Sequence, residues 1–289
     1  MLQDILVTGL VNGGVYALLA IGFSLIFGVA RIVNIAHTAF YMLAAYCFYT
    51  LLTKGGVGFA LAGITAVVAV TLLSLVCYKL VIEPVREHES AVLISTIALG
   101  LIFQELMLAA YGGNFLGVPS AIEGVVQVLG VSIPYQRLLI LIVAALMLVA
   151  TWFFLHRTRL GLAVRATAND LEVANLMGMN VHRVAMATVA ISVALAAVAG
   201  VVVSPVFVVD PFMWLAPLVT MLAIVVLGGL GSLKGSVIGA LIIGYVEAIT
   251  VFALPAGAYL KGAVALLIMV IVLLVRPEGL FGVAFEEER

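Results

Sequence analysis

The chain reads as all-α, a polytopic transmembrane helical bundle of eight or nine spans, and three features predict that class. Its 289 residues are 65% hydrophobic, with a mean hydropathy of +1.34. Only 9% are charged, against about 25% in soluble domains, and a soluble globule of this size cannot hide so much apolar surface. The apolar residues fall in long uncharged runs, whereas the strands of outer-membrane barrels are about 10 residues long and alternate polar with apolar. Thirteen Lys and Arg stand against fourteen Asp and Glu, so there is no basic surface for nucleic acid, and the hydrophobicity excludes disorder.

A helix needs about 20 apolar residues to cross roughly 30 Å of hydrocarbon. Six uncharged runs meet that length: Ile5 to Ala30, Ile32 to Thr53, Gly55 to Tyr78, Leu138 to His156, Val184 to Val209 and Pro211 to Leu233. Three more carry one acid or a short interruption: Ser90 to Tyr111 with Glu105, Gly235 to Leu254 with Glu247, and Gly262 to Val275. Backbone amides in lipid must be satisfied within the segment, which long helices achieve. The first 35 residues are the sensitive part of the count, since a half-span or re-entrant turn there changes it without moving later loops. No Lys or Arg precedes the first run and no small-residue cleavage site is evident, so that run is expected to be a retained span.

Lys and Arg set the expected orientation. With the connection at Arg31 cytoplasmic, alternation through nine spans also puts Lys79, Arg86, Arg157, Arg159, Arg165, Arg183, Lys234, Arg276 and Arg289 inside. Lys54, Arg137 and Lys261 remain outside, so the split is ten against three. The positive-inside rule then places the N-terminus outside and the C-terminus in the cytoplasm.

One segment, residues 157–183, is polar enough to be a long cytoplasmic connection within a single transmembrane domain spanning 1–289. It gathers Arg165, Asn169, Asp170, Glu172, Asn175 and Asn180. Asn169 is suited to cap a helix, Asp170 and Glu172 to sit in its first turn, and Gly178 to end it. Leu171, Ala174 and Met177 recur at three-residue steps, giving a two-turn helix with one apolar side. Such a helix either enters a groove on a partner or lies solvated on the membrane.

Several stretches, in order along the whole chain, carry a family resemblance: Asn12-Gly-Gly-Val-Tyr16 through Gly22, Val33-Asn34-Ile-Ala-His37 with Tyr41-Met42, Glu83-Pro84-Val-Arg86, the run Arg165 to Arg183, Leu227-Gly-Gly-Leu-Gly231-Ser232 through Gly239, and Arg276-Pro-Glu-Gly279. Together they resemble the permease subunits of branched-chain amino acid ABC importers of the LIV type. The resemblance implies a multi-pass protein of the bacterial inner membrane that moves branched-chain or related small amino acids. It implies four kinds of partner contact: a second permease subunit, two cytoplasmic ATPase subunits, a periplasmic substrate-binding protein and membrane lipid. ATP would be used by the partner subunits, with no cofactor or metal bound by this chain. The coupling residues it implies are Arg165, Asn169, Asp170, Glu172, Ala174 and Gly178. Relatives that carry amides, urea or aromatic acids leave the cargo open. Where the family usually follows its Asn-x-Ala-His stretch with Gly and an acid or amide, this chain has Thr38 and Ala39.

The remaining chemistry is sparse. Asn34, His37, Thr38 and Tyr41 are polar near the start of an apolar span, and are either substrate-path residues or satisfied packing residues. Gly231, Gly235 and Gly239 form a small-residue ladder for close helix packing, within the chain or between two subunits. Glu105 and Glu247 lie at membrane depth and Asp210 near the outer interface. An intramembrane acid marks either a functional cavity or a structural hydrogen bond, and a stand-alone secondary transporter using Glu105 or Glu247 is the alternative reading. Cys47 and Cys77 are isolated and expected to act as small buried hydrophobes. The string Gly228 to Ser236 fails the phosphate-loop spacing, His88-Glu89 lacks the second His of a zinc protease, and no nucleophile-elbow motif occurs, so the chain is not expected to be an enzyme.

Overall fold

The computed structural model describes residues 2–122, 124–128 and 131–282, so Arg289 lies outside the described residues. Eleven helices follow in order among them: α1 (Leu2–Ala30), α2 (His37–Thr53), α3 (Phe59–Cys77), α4 (Glu89–Tyr111), α5 (Tyr135–Arg157), α6 (Arg159–Asn169), α7 (Leu171–Leu176), α8 (Val181–Val203), α9 (Leu215–Gly228), α10 (Leu233–Ala253) and α11 (Gly257–Val275). A π-helical turn, Tyr78–Ile82, and a 3-10 turn, Glu83–Val85, extend α3, and Pro84 removes a donor where the helix stops. Each of the nine apolar runs read from the sequence holds one helix. Seven are long and apolar enough to cross a membrane: α1, α3 with its extension, α4, α5, α8, α10 and α11. The other two are shorter, α9 with 14 residues and α2 with 17.

Their shortness follows from what surrounds them. At 1.5 Å per residue, α2 spans roughly 26 Å and α9 roughly 21 Å, less than a hydrocarbon core. Residues 37–46 of α2 are all buried, so its N-terminal end meets protein instead of lipid. Residues 31–36, which lead into it, are non-helical and run back along α1 until His37 lies against Gly22. Gly22 is eight residues before the end of α1, roughly 12 Å along the axis. Irregular backbone is tolerated at such depth when protein encloses it.

Basic residues gather at one end of the bundle. There, Arg31 donates to the Ala168 carbonyl at 3.5 Å, Glu83 pairs with His182, and Gly28 approaches both Ala168 and Gly231. The stretch after α11 returns to the same end. Leu280 N–H donates to the Leu227 carbonyl (2.8 Å) and Phe281 N–H to that of Gly228 (3.0 Å), closing carbonyls that a helix C-terminus leaves free. At the opposite end the Lys54 ammonium sits 5.1 Å from the centre of the Tyr111 ring, and Leu116 pairs with Val209 in an isolated bridge. A small antiparallel hairpin also lies there, β1 (Val125–Val128) with β2 (Val131–Pro134), Val125 opposite Pro134. It is the only β-sheet among the described residues.

The central packing is between antiparallel α1 and α10. A Cβ placed on Gly244 would stand 2.5 Å from the Gly13 nitrogen and 2.7 Å from the Gly9 carbonyl oxygen, so these backbones touch without side chains between them. Ser24 and Ser236 then share a hydroxyl hydrogen bond of 2.6 Å near the basic end. Close backbone approach is what small residues contribute in membranes, where lipid is as apolar as any side chain. Gly244→Leu should therefore force α1 from α10, costing at least the roughly 1–3 kcal/mol typical of overpacking. Gly262, with nothing within 4 Å of its Cβ direction, is the control. Thermal melting in detergent should drop by several degrees for Gly244→Leu and stay within error for Gly262→Leu.

Candidate functional site

Three short-range caps build the 157–183 segment. The Thr158 hydroxyl oxygen accepts from Gly161 N–H at 2.9 Å, Asp170 Oδ1 from Val173 N–H at 2.9 Å, and Asn180 Oδ1 from Arg183 N–H at 3.0 Å. Each satisfies a donor that a helix start leaves open, for α6, α7 and α8 in turn. The cap of α7 is Asp170 and not Asn169, which is the last residue of α6. An acid at this position also complements the helix dipole. Gly178 ends the helix at φ +81°, where Met179 N–H reaches the Ala174 carbonyl and Gly178 N–H that of Asn175. This left-handed stop suits glycine because it has no Cβ to clash.

The faces of α7 differ from the sequence expectation. Ala174 is buried against its own chain, while Leu171, Val173, Leu176 and Met177 are 38%, 51%, 85% and 78% exposed. The apolar side available to a partner is therefore these four residues, with Glu172 exposed beside them. Arg165 is turned back, its Nε donating to the Leu155 carbonyl at 2.9 Å, which fastens α6 to α5. A cleft of about 420 Å³ opens beside α7, lined by Arg86, Leu171, Asn175, Asn180, Val181 and His182. Neither Arg86 nor His182 is among the coupling residues that the resemblance implies. Their signal is the Glu83-Pro84-Val-Arg86 stretch, whose Glu83 pairs with His182 across the cleft's border.

The other candidates lie inside the bundle. Asn34, His37, Thr38 and Tyr41 are all buried at the α1–α2 junction. Glu247 is 1% exposed, and its carboxylate accepts from Tyr16 Oη at 2.7 Å and Thr220 Oγ1 at 3.4 Å. It thus ties α10 to α1 and α9. Glu105 is exposed on the outer face of α4, its one recorded partner being Gln104 Nε2 at 3.4 Å. Gln104 in turn accepts from the Trp214 indole at 3.0 Å. The two acids share no hydrogen-bond partner. Gly235 and Gly239 face Gly228 and Ile224 of α9 within the chain, and Gly231 sits in the turn before α10 beside Gly28. The sequence ladder missed Gly9, Gly13 and Gly244, although Gly9 and Gly13 stand at the same four-residue spacing. Cys77 is buried and Cys47 half-buried, both free. Among the described residues no three His, Cys, Asp or Glu gather as metal ligands would.

A core of bilayer-length helices, two shorter apolar helices and one ordered connection at a basic end define a multi-pass helical membrane protein. Residues 5–273 match the family model described as branched-chain amino acid transport system, permease component, and the chain belongs to that family. It is 31% identical over 293 residues to the high-affinity branched-chain amino acid transport system permease protein LivH of Escherichia coli K12, covering 95% of this chain and 93% of that protein. Identity to the corresponding permease protein BraD of Pseudomonas aeruginosa is 32% over 294 residues, covering 96% and 94%. Among solved structures, PsaBC from Streptococcus pneumoniae in complex with Fab is similar with a TM-score of 0.49 and 20% identity, covering 96% of this chain and 92% of that one.

The Glu247 geometry yields a graded expectation. Glu247→Leu strands two buried hydroxyls, and each lost partner costs about 1–3 kcal/mol, whereas Glu247→Gln keeps a carbonyl oxygen in place. Melting of the purified protein should fall clearly for Glu247→Leu and less for Glu247→Gln. Equal losses would show that the hydrogen bonds contribute little.

Proposed function

We propose that this chain is the membrane-spanning permease subunit of a bacterial inner-membrane ABC importer for branched-chain or related small amino acids. In this reading a periplasmic binding protein delivers the solute, a second permease subunit completes the pathway, and two cytoplasmic ATPase subunits hydrolyse ATP. The observation that carries it is α7 in a chain of this family: a capped, glycine-ended helix at the basic end, presenting Leu171, Val173, Leu176 and Met177 outward. The positive-inside rule favours that end as cytoplasmic, with the N-terminus outside. The second subunit is supported by Glu105, since an acid facing lipid costs a few kcal/mol that a protein neighbour removes.

Mechanically, the ATPase seats α7, and ATP-driven closure displaces it together with α6 and α8, to which short turns at Asp170 and at residues 177–180 join it, while Arg165 holds α6 to α5. ATP binding must favour one conformation by several kcal/mol, because a partner with equal affinity for both states shifts nothing. Asp170→Ala removes the cap, worth about 1 kcal/mol, and Gly178→Val strains a positive φ. Both variants should insert and assemble normally, hydrolyse ATP, and lose at least ten-fold in amino-acid uptake in proteoliposomes holding the full complex. Wild-type uptake by such assembled variants would remove α7 from the coupling role.

A further inference from the structure

We infer that the α1–α2 junction is an occluded polar site, one that opens to water in another conformation of the protein and there hydrogen-bonds the polar end of a net-neutral solute. The inference rests on the importer reading and adds to it a site and a ligand chemistry.

Four polar atoms within five residues lack any hydrogen-bond partner here: Asn34 Oδ1, both ring nitrogens of His37 and Thr38 Oγ1. Asn34 is 2% exposed and the other two side chains are 0% exposed. The Leu19 carbonyl faces the imidazole without completing a hydrogen bond. Each buried unpaired group costs about 1–3 kcal/mol, and native proteins leave few such groups unexplained. The other unpartnered atoms among the described residues, on Tyr46, Thr71 and Thr167, are far apart in sequence. Only at the junction do they cluster.

The cluster sits on an irregular stretch of backbone. Residues 32–35 belong to no helix, and Arg31 has a left-handed φ of 55° without being glycine. The imidazole fits only because Gly22 has no side chain: a Cβ there would lie 2.9 Å from the ring and 2.8 Å from the Ser192 carbonyl. No ionised residue hydrogen-bonds this set. Thr38 O–H and one imidazole N–H are donors, while Asn34 Oδ1 and the other ring nitrogen are acceptors. Donors and acceptors without a fixed charge suit a zwitterion or amide, whose own charges or dipoles cancel overall. A net ion would be left uncompensated.

The test starts from the Cys47→Ser, Cys77→Ser chain in its complete complex, in proteoliposomes whose ATP-driven uptake is measured first. Without such uptake the importer reading fails, and the labelling below still decides the site. Thr38→Cys, or Asn34→Cys if that variant does not assemble, is exposed to a charged, membrane-impermeant methanethiosulfonate with and without ATP plus vanadate. Met42→Cys, buried and apolar one turn further along α2, is the control. The expected result is labelling at least ten-fold faster in one nucleotide state, with Met42→Cys inert in both. Labelling no faster than the control in every state overturns the site, and equal labelling in both states overturns its occlusion. A second variant separates function from packing: Thr38→Val removes an orphan hydroxyl, so it should raise the melting temperature while lowering uptake at least five-fold. A raised melting temperature with unchanged uptake assigns Thr38 to packing alone and overturns its part in the site.

Discussion

Inside a hydrocarbon layer a peptide group without a partner costs several kcal/mol, and nearly every architectural feature of this chain answers to that constraint. Long helices satisfy it one segment at a time. What they cannot satisfy alone are their ends and the irregular stretches between them, and these are dealt with by burial, capping or pairing. The 32–36 stretch is buried or half-buried among helices, the starts of α6, α7, α8 and α10 are capped by Thr158, Asp170, Asn180 and Ser232, and the end of α9 is closed by residues 280–281. All four side-chain caps lie at the basic end. The helices beginning at the hairpin end have none.

The distribution of order matches a division of labour. Around α1, α8 and α10 the packing is glycine-tight and reinforced by Tyr16–Glu247 and Ser24–Ser236. The 157–183 segment adds three short-range caps and two sharp breaks between helices. The irregular entry to α2 holds the least satisfied polar groups of the core. Tight packing and unsatisfied polar groups therefore occupy different parts of the bundle.

Much of this was readable from the residues, for a simple reason: the spacing of rare charges measures span length, and lipid enforces that ruler. The nine apolar runs each became one helix, and Gly178 stopped α7 because few other residues accept its φ. What could not be read depends on rotation and neighbours. Asn169 and Asp170 are adjacent and both good caps, so only the break between α6 and α7 decides between them. Ala174 looked like part of a docking stripe but faces inward, because a two-turn helix offers too few residues to fix its rotation. Glu247 and Glu105 are alike in sequence, yet one meets a tyrosine hydroxyl 231 positions away and the other an outer surface.

That same long-range hydrogen bond bears on how the protein is made. Tyr16 and the bare glycine face of α1 enter the membrane first, but Glu247 and Gly244 emerge only after about two hundred further residues have been added. At synthesis rates of about 5–20 residues per second, α1 waits on the order of ten to fifty seconds for its main neighbour. During that interval its polar and glycine-lined surface is open to unrelated helices or to the insertion machinery. The helix at the centre of the finished fold is therefore among the first made and among the last to be completed.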